Sequence, residues 1–176
     1  MEDKHKPLNL GSLEERRAFL ERTCEADDGC ISAGGMYADI ASQLTLNDFA
    51  EQPGFPEQFK ASFAPGTTEI WYRLNSKSPR TGTDDIPFFK PKKPRLSELS
   101  QSHVLIGSVA ESNFVTLFHM MQAEMWQPMG SPPGSPARLF LQARGAEHSS
   151  MSVGDCIVMQ GRGWMCKSVG WEPLDP

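Results

Sequence analysis

No apolar run in this chain approaches the about 20 residues that span a bilayer, so no transmembrane helix is expected. The start, Met1-Glu2-Asp3-Lys4-His5-Lys6, is polar and leads into no hydrophobic stretch, which is not the pattern of a signal peptide. Cysteine is scarce, with four residues spaced irregularly at 24, 30, 156 and 166. Such spacing fits unpaired thiols in a reducing cytosol better than a disulfide framework. Neither C-x₂-C nor H-x₃-H occurs, so no zinc module and no other metal site is predicted. A Walker A loop, a G-x-G-x-x-G fingerprint and a nucleophile elbow are all missing as well, and no cofactor is expected.

What is present suits one domain of 176 residues with an appended segment. Apolar residues make up 39%, enough for a core, while 15 glycines and 14 prolines require many loops. The net charge of −5 gives no whole-chain affinity for nucleic acid or membrane. Its distribution is uneven: residues 1–75 carry −6, residues 76–95 carry +4, and residues 96–176 carry −3.

Along the chain, Ser12-Leu13-Glu14-Glu15 is a capping box, predicting a helix to about Cys24. A shorter helix from Met36 to Leu44 aligns Met36, Ile40 and Leu44, and Thr45 with Asp48 opens a further turn. Phe49, Phe55, Phe59 and Phe63 follow among prolines. These rings either pack the N-terminal helices onto a sheet or form an anchor patch for a partner protein. Glu69 to Leu74 alternates as a strand, with Ile70, Tyr72 and Leu74 on one side and Trp71 and Arg73 on the other.

A long connection, residues 76–102, is expected as a flexible Pro-rich loop with Lys90, Lys92, Lys93 and Arg95 as its charged centre. It reads either as a basic arm for phosphate backbones or as a solvated linker. His103 to Ala110 is a strand apolar enough to be central. Glu111-Ser112 then caps a helix to Gln127 whose stripe is Phe114, Leu117, Phe118, Met121 and Met125, which leaves His119 exposed. Residues 128–137 tolerate no regular element, and Arg138 to Arg144 is a short helix.

The chain closes on a buried hairpin. Gly154-Asp155 launches its first strand, the carboxylate accepting local N–H groups. Gly161-Arg162 fits a type II′ turn, which sets Met159 opposite Trp164 and Cys156 opposite Lys167. Cys156 and Cys166 then point to opposite faces and form no disulfide. Asp155 and Arg162 are either ligand contacts or parts of a structural hairpin. For nucleophilic catalysis, His148 beside Ser149-Ser150, His119, and the four cysteines are the candidates, and none has a legible activating environment. No catalytic residue is assigned.

Ser150-Met151-Ser152-Val153-Gly154-Asp155, an apolar strand, a Gly turn and Val169-Gly170-Trp171 together resemble a bacterial C-terminal domain. It occurs in plasmid- and phage-associated proteins, including the YodL-like domains. Its motif residues here are Ser152, Gly154, Asp155 and Gly170, and Trp171 stands where the family has Phe. The resemblance covers roughly residues 67–174 and leaves the N-terminal helices outside. It implies a mobile-element setting, with accessory, conjugation-related or anti-defence binding roles, and brings no catalytic residues.

The expected fold is α+β: a small, mostly antiparallel sheet of about four strands, one amphipathic helix packed on it, and N-terminal helices. The expected division is a helical segment over 1–66 and an α+β domain over 67–176. The leading functional expectation is a cytoplasmic, non-enzymatic interaction module that binds another protein through Phe55, Phe59, Phe63, Trp164 and Trp171. The alternatives are nucleic-acid binding through Lys90, Lys92, Lys93 and Arg95, and a small hydrolase using His148 or His119.

Overall fold

The computed structural model describes residues 12, 14, 15, 18, 41–52, 54–74, 92–126, 136–146 and 148–176. Met36, Ile40, Cys24, Cys30, Lys90 and the runs 75–91 and 127–135 lie outside the described residues. The first capping box is formed: Glu15 N donates to Ser12 Oγ at 3.1 Å, and Ser12 N donates to the Glu15 carboxylate at 3.0 Å.

Five antiparallel strands make one sheet in the order β2-β1-β3-β4-β5. They are β1 (Thr68–Arg73), β2 (His103–Val109), β3 (Cys156–Met159), β4 (Arg162–Cys166) and β5 (Trp171–Pro173). The helices are α1 (Glu57–Phe63), α2 (Leu99–Ser102), α3 (Phe114–Met120), α4 (Ala123–Trp126) and α5 (Pro136–Ala143), with 3₁₀ turns at Leu46–Glu51 and Leu96–Glu98. An α+β fold with an antiparallel sheet is therefore present, one strand larger than expected.

Burial along β1 alternates residue by residue, so Thr68, Ile70 and Tyr72 share the deeply buried face. On that face lies the main core: Ile70, Tyr72 and Ile157 from the sheet, with Leu46, Phe49, Phe63, Leu117 and Phe140 from the helical segments. Each such side chain contributes about 1.5–3 kcal/mol on burial, so this face dominates stability. Phe49 is its centre, meeting Trp126 and Phe140 edge-on, each at 5.1 Å between centroids. Phe63 meets Phe55 the same way at 5.1 Å. Since Leu44, Leu46, Phe49, Phe55 and Phe63 share this core with the sheet, the core does not divide at residue 66.

The opposite face carries a smaller cluster of Leu99, Cys156 and Met165, bordered by Trp71, Leu96, Val158 and Leu174. Leu96 and Leu99 belong to the stretch expected as loop. Residues 96–102 are instead helical and cover the sheet's second face, because two leucines three apart suffice to anchor a single turn.

Three further expectations are corrected. β2 is an edge strand and not a central one. Its apolar character is explained by the 3₁₀ turn lying against it: a Cβ on Gly107 would sit 2.7 Å from Leu46 Cβ. Asn47 Nδ2 donates to Ser108 O at 2.9 Å and to Phe63 O at 2.6 Å, which fastens that cover. The closing hairpin turns at Gln160-Gly161 (φ 51° and 73°), which is the type I′ pattern, two positive φ values in a row. Met159 therefore pairs with Arg162 and Cys156 with Met165, a two-residue shift that preserves which face each side chain takes. Cys156 and Cys166 are both free thiols, as the face assignment required.

The third correction concerns the helix after β2. Asn113 caps it, its Oδ1 accepting from Val115 N and Thr116 N, and the helix breaks at Met121 before α4 resumes. Its buried side is Leu117, Met120 and Met121, while Phe118 is turned outward at 37% exposure. The break is occupied: Met121 O accepts from Met151 N at 3.0 Å, so the segment before β3 docks into the joint.

Candidate functional site

Pairing of β4 with β5 places Trp164 opposite Pro173 and Cys166 opposite Trp171, all on the main-core face of the sheet. The first turn of α3 crosses this ladder and sets Phe114 between the two indoles. Its ring lies 5.3 Å from Trp171, near-parallel at 24°, and 5.4 Å from Trp164, edge-on at 64°. All three rings are half-buried. On the same helix as Phe114, Phe118 is 37% exposed and Val115 66%, and Val169 in the β4–β5 turn is 91% exposed. Val169 stands in the turn after β4, closed by Lys167 N donating to Gly170 O at 3.0 Å. The three rings form a half-buried aromatic cluster at the border of the main core.

Beside it, Leu96, Gly161, Arg162, Gly163, Trp164, Pro173, Leu174 and Pro176 line a groove of about 350 Å³. Gly163 is required here, since a Cβ would lie 2.7 Å from Leu174 Cδ1 and 3.1 Å from Leu96 Cδ1. Arg162 is exposed at the hairpin tip and is the one charged side chain among these lining residues.

The five residues expected as partner anchors divide. Phe55 and Phe63 are buried in the core, at 6% and 0% exposure, so their rings offer no outward face. Phe59 is partly buried against the same core. Trp164 and Trp171 do reach the surface. Phe114 joins them: like Phe59, all three are partly buried at the border of the main core, as the apolar stripe of its helix led one to expect for Phe114.

One residue of the basic run, Lys93, is tied to the C-terminal strand region. Lys93 Nζ lies 3.1 Å from Asp175 and 3.7 Å from Glu172, and donates to Pro173 O at 3.4 Å. Those partners hold its ammonium pKa up, the hydrogen bond to Asp175 foremost. Lys167 pairs with Glu172 at 3.0 Å. Lys92 and Arg95 remain exposed, and Lys90 lies outside the described residues.

Behind the surface is a polar knot. Asp155 is fully buried, and its carboxylate accepts from Ser152 N (2.7 Å), Ser152 Oγ (3.3 Å), Arg73 N (2.8 Å) and His148 Nε2 (2.9 and 3.0 Å). Gly154, at φ 99°, makes the sharp turn that brings Ser152 back to it. His148 stacks on Tyr72 at 4.7 Å, and Tyr72 Oη donates to Ser149 O at 3.1 Å. The motif residues Ser152, Gly154 and Asp155 are thus a tie between the last hairpin and β1, and Gly170 belongs to the β4–β5 turn.

His103, which no sequence pattern singled out, is buried beside this knot. Its Nε2 lies 2.8 Å from Gly154 O, a group that only accepts, so Nε2 carries the proton and Nδ1 faces Ser102 Oγ at 2.8 Å. Burial pushes the His103 pKa down. Cys156 Sγ is 3.6 Å from that same protonated nitrogen, which therefore takes no proton from the thiol. Burial first, then Asp155 and Cys166, push the Cys156 pKa up to about 12. A thiolate–imidazole pair is not assembled here.

The serines near His148 are engaged elsewhere: Ser150 Oγ accepts from Ala123 N, and Ser152 Oγ donates to Asp155. His119 is exposed on α3. Among the described residues no cluster of three metal-ligating side chains occurs, and no helix is long and apolar enough to cross a membrane. No family model matches the chain, and comparison with curated proteins and solved structures yields no match either.

Proposed function

We propose that this protein is a non-enzymatic interaction module that binds another protein through the Phe114–Trp164–Trp171 surface. The observation that carries this is the packing of half-buried Phe114 against two half-buried indoles, with exposed Val115 and Phe118 on the same helix and exposed Val169 in the β4–β5 turn. Large aromatic side chains held in place by mutual packing lose little entropy on binding and bury much area, which is how interface anchors work. The C-terminal resemblance supports an accessory role on a plasmid or phage, in the cytoplasm, including an anti-defence role.

Nucleic-acid binding is the second reading, favoured by exposed Lys92 and Arg95. Against it stand the neutralisation of Lys93 by Asp175 and Glu172 and the net charge of −5. For the hydrolase reading, no nucleophile and base are brought together among the described residues.

The test is affinity capture on the full chain from a lysate of the organism that encodes it, at ~150 mM and ~500 mM salt with nuclease treatment. The expected result is a protein retained at high salt, lost with Trp171→Ala and Trp164→Ala, and kept with Lys92→Ala. Recovery of nucleic acid alone, released at high salt, contradicts the proposal in favour of the basic run.

A further inference from the structure

We infer that residues 93–96 are a charge-latched strap that holds β5, and with it Trp171, in place, so that ionic strength tunes the aromatic cluster. This rests on the interaction-module reading and names a regulation of that same site. β5 is three residues long and has a single neighbour in the sheet, β4, with which it makes three residue pairs. A strand so short is held weakly by its own ladder. The strap supplies further contacts. Leu96 N donates to Asp175 O at 2.8 Å, Arg95 forms a parallel bridge with Asp175, and Lys93 Nζ donates to Pro173 O at 3.4 Å. Lys93 also pairs with Asp175 at 3.1 Å and with Glu172 at 3.7 Å.

The two ends of this cover are held differently. Leu99, just beyond the strap, is 3% exposed in a cluster with Cys156 and Met165, so burial fixes that end. At the other end Leu96 is only partly buried, and the ion pairs are open to water: the Lys93, Glu172 and Asp175 side chains are 29%, 38% and 67% exposed. Pairs of that kind are screened by salt, whereas an apolar anchor is not. Lys167 also pairs with Glu172, which leaves Asp175 as the carboxylate bound to the strap alone among the described residues. Successive residues of β5 take opposite faces, so Glu172 meets the strap while Trp171 lies 5.3 Å from Phe114 on the other side. A short piece of backbone thus joins the latch to the stacked ring.

The test is amide exchange and the indole N–H spectrum of the full chain at ~50 mM and ~500 mM salt. Rates are referenced to the Met151 amide, which is bonded to Met121 O away from β5. Lys93→Ala and Asp175→Asn are each expected to speed exchange at Leu96 and Leu174 about two- to fivefold and to move the Trp171 indole signal. Lys93→Glu, which sets like charges together, is expected to do so about tenfold. High salt is expected to act likewise on the unsubstituted chain and to add little in Lys93→Ala. The latched form stays the major one, so capture at ~500 mM salt is preserved. Exchange unchanged in all three variants overturns the inference, as does an equal salt response with and without Lys93, or faster exchange with Trp171 unmoved. If the variants behave in one of those ways while capture still needs Trp164 and Trp171, the inference fails and the interaction-module reading stands. If exchange and the Trp171 signal respond as expected while capture ignores the two indoles, that reading fails and the strap stands.

Discussion

His148 Nε2 sits 2.9 and 3.0 Å from the two carboxylate oxygens of Asp155, a residue with no solvent exposure. The same carboxylate takes the backbone N–H of Arg73 in β1, 82 positions away in sequence. One side chain therefore holds the last hairpin, the segment before it and the strand beside it. Replacing Asp155 with Ala leaves the partly buried N–H groups of Arg73 and Ser152 without their acceptor, and an unsatisfied buried donor costs about 1–3 kcal/mol. Asp155→Ala is expected to lose about 2–5 kcal/mol in urea unfolding. A loss below about 0.5 kcal/mol is inconsistent with the tie.

A carboxylate accepts only, so His148 must carry its proton on Nε2 when neutral. Nitrogen-15 spectra of the imidazoles above pH 8 are expected to show the Nε2–H tautomer for both His148 and His103. An Nδ1–H form at either position contradicts the bonding described.

His103 gives stability a pH dependence of defined sign. Burial lowers its folded pKa below the ordinary 6.5, so the unfolded chain binds the proton first as pH falls. Its contribution is complete above 6.5 and is lost as pH falls from there through the lowered folded value. His103→Gln is expected to flatten the slope of unfolding free energy against pH in that window. An unchanged slope contradicts the assignment.

Cys156 and Cys166 have thiol pKa values pushed up to about 12 and about 11, in both cases by burial first and then by Asp155. Peptide-mapped alkylation at pH 8 is expected to spare both in the folded protein and to label both in guanidinium. Rapid labelling of Cys156 in the folded state contradicts its burial, and with it the exclusion of Cys156 as a nucleophile.

Gly107→Ala tests the cover of the edge strand. The new Cβ meets Leu46 Cβ at 2.7 Å, next to the backbone, where little can move aside. A destabilisation of about 1–3 kcal/mol is expected from overpacking, measured by urea unfolding.

Local signals in the sequence were legible. The alternation of Glu69–Leu74, the Ser12 capping box and the Asp155–Ser152 contact each depend on residues within a few positions of one another. Longer-range facts were not. The type I′ turn needed Gln160 at positive φ, which an uncommon residue adopts there, so glycine position alone misplaced the hairpin by two residues. β5 is three residues long and ends in proline, too short for a periodic signal. Phe118 and Met120 exchanged roles because the helix breaks at Met121, where Met151 docks, and nothing local announces that contact. Of the aromatic surface, Trp164 and Trp171 were readable as candidates. Phe114 was readable as a member of its helix's apolar stripe, but its contact with the two indoles joins distant parts of the chain and has no local signal.

The most direct measurement is the indole N–H region of the proton–nitrogen spectrum while a captured partner is titrated in. Trp71 donates to Glu69 and Trp126 donates to Ser149 O, both away from the aromatic surface. Binding through Phe114, Trp164 and Trp171 is expected to move the Trp164 and Trp171 signals and leave those of Trp71 and Trp126 in place. Movement of Trp71 or Trp126 with Trp164 and Trp171 unchanged contradicts the proposed surface.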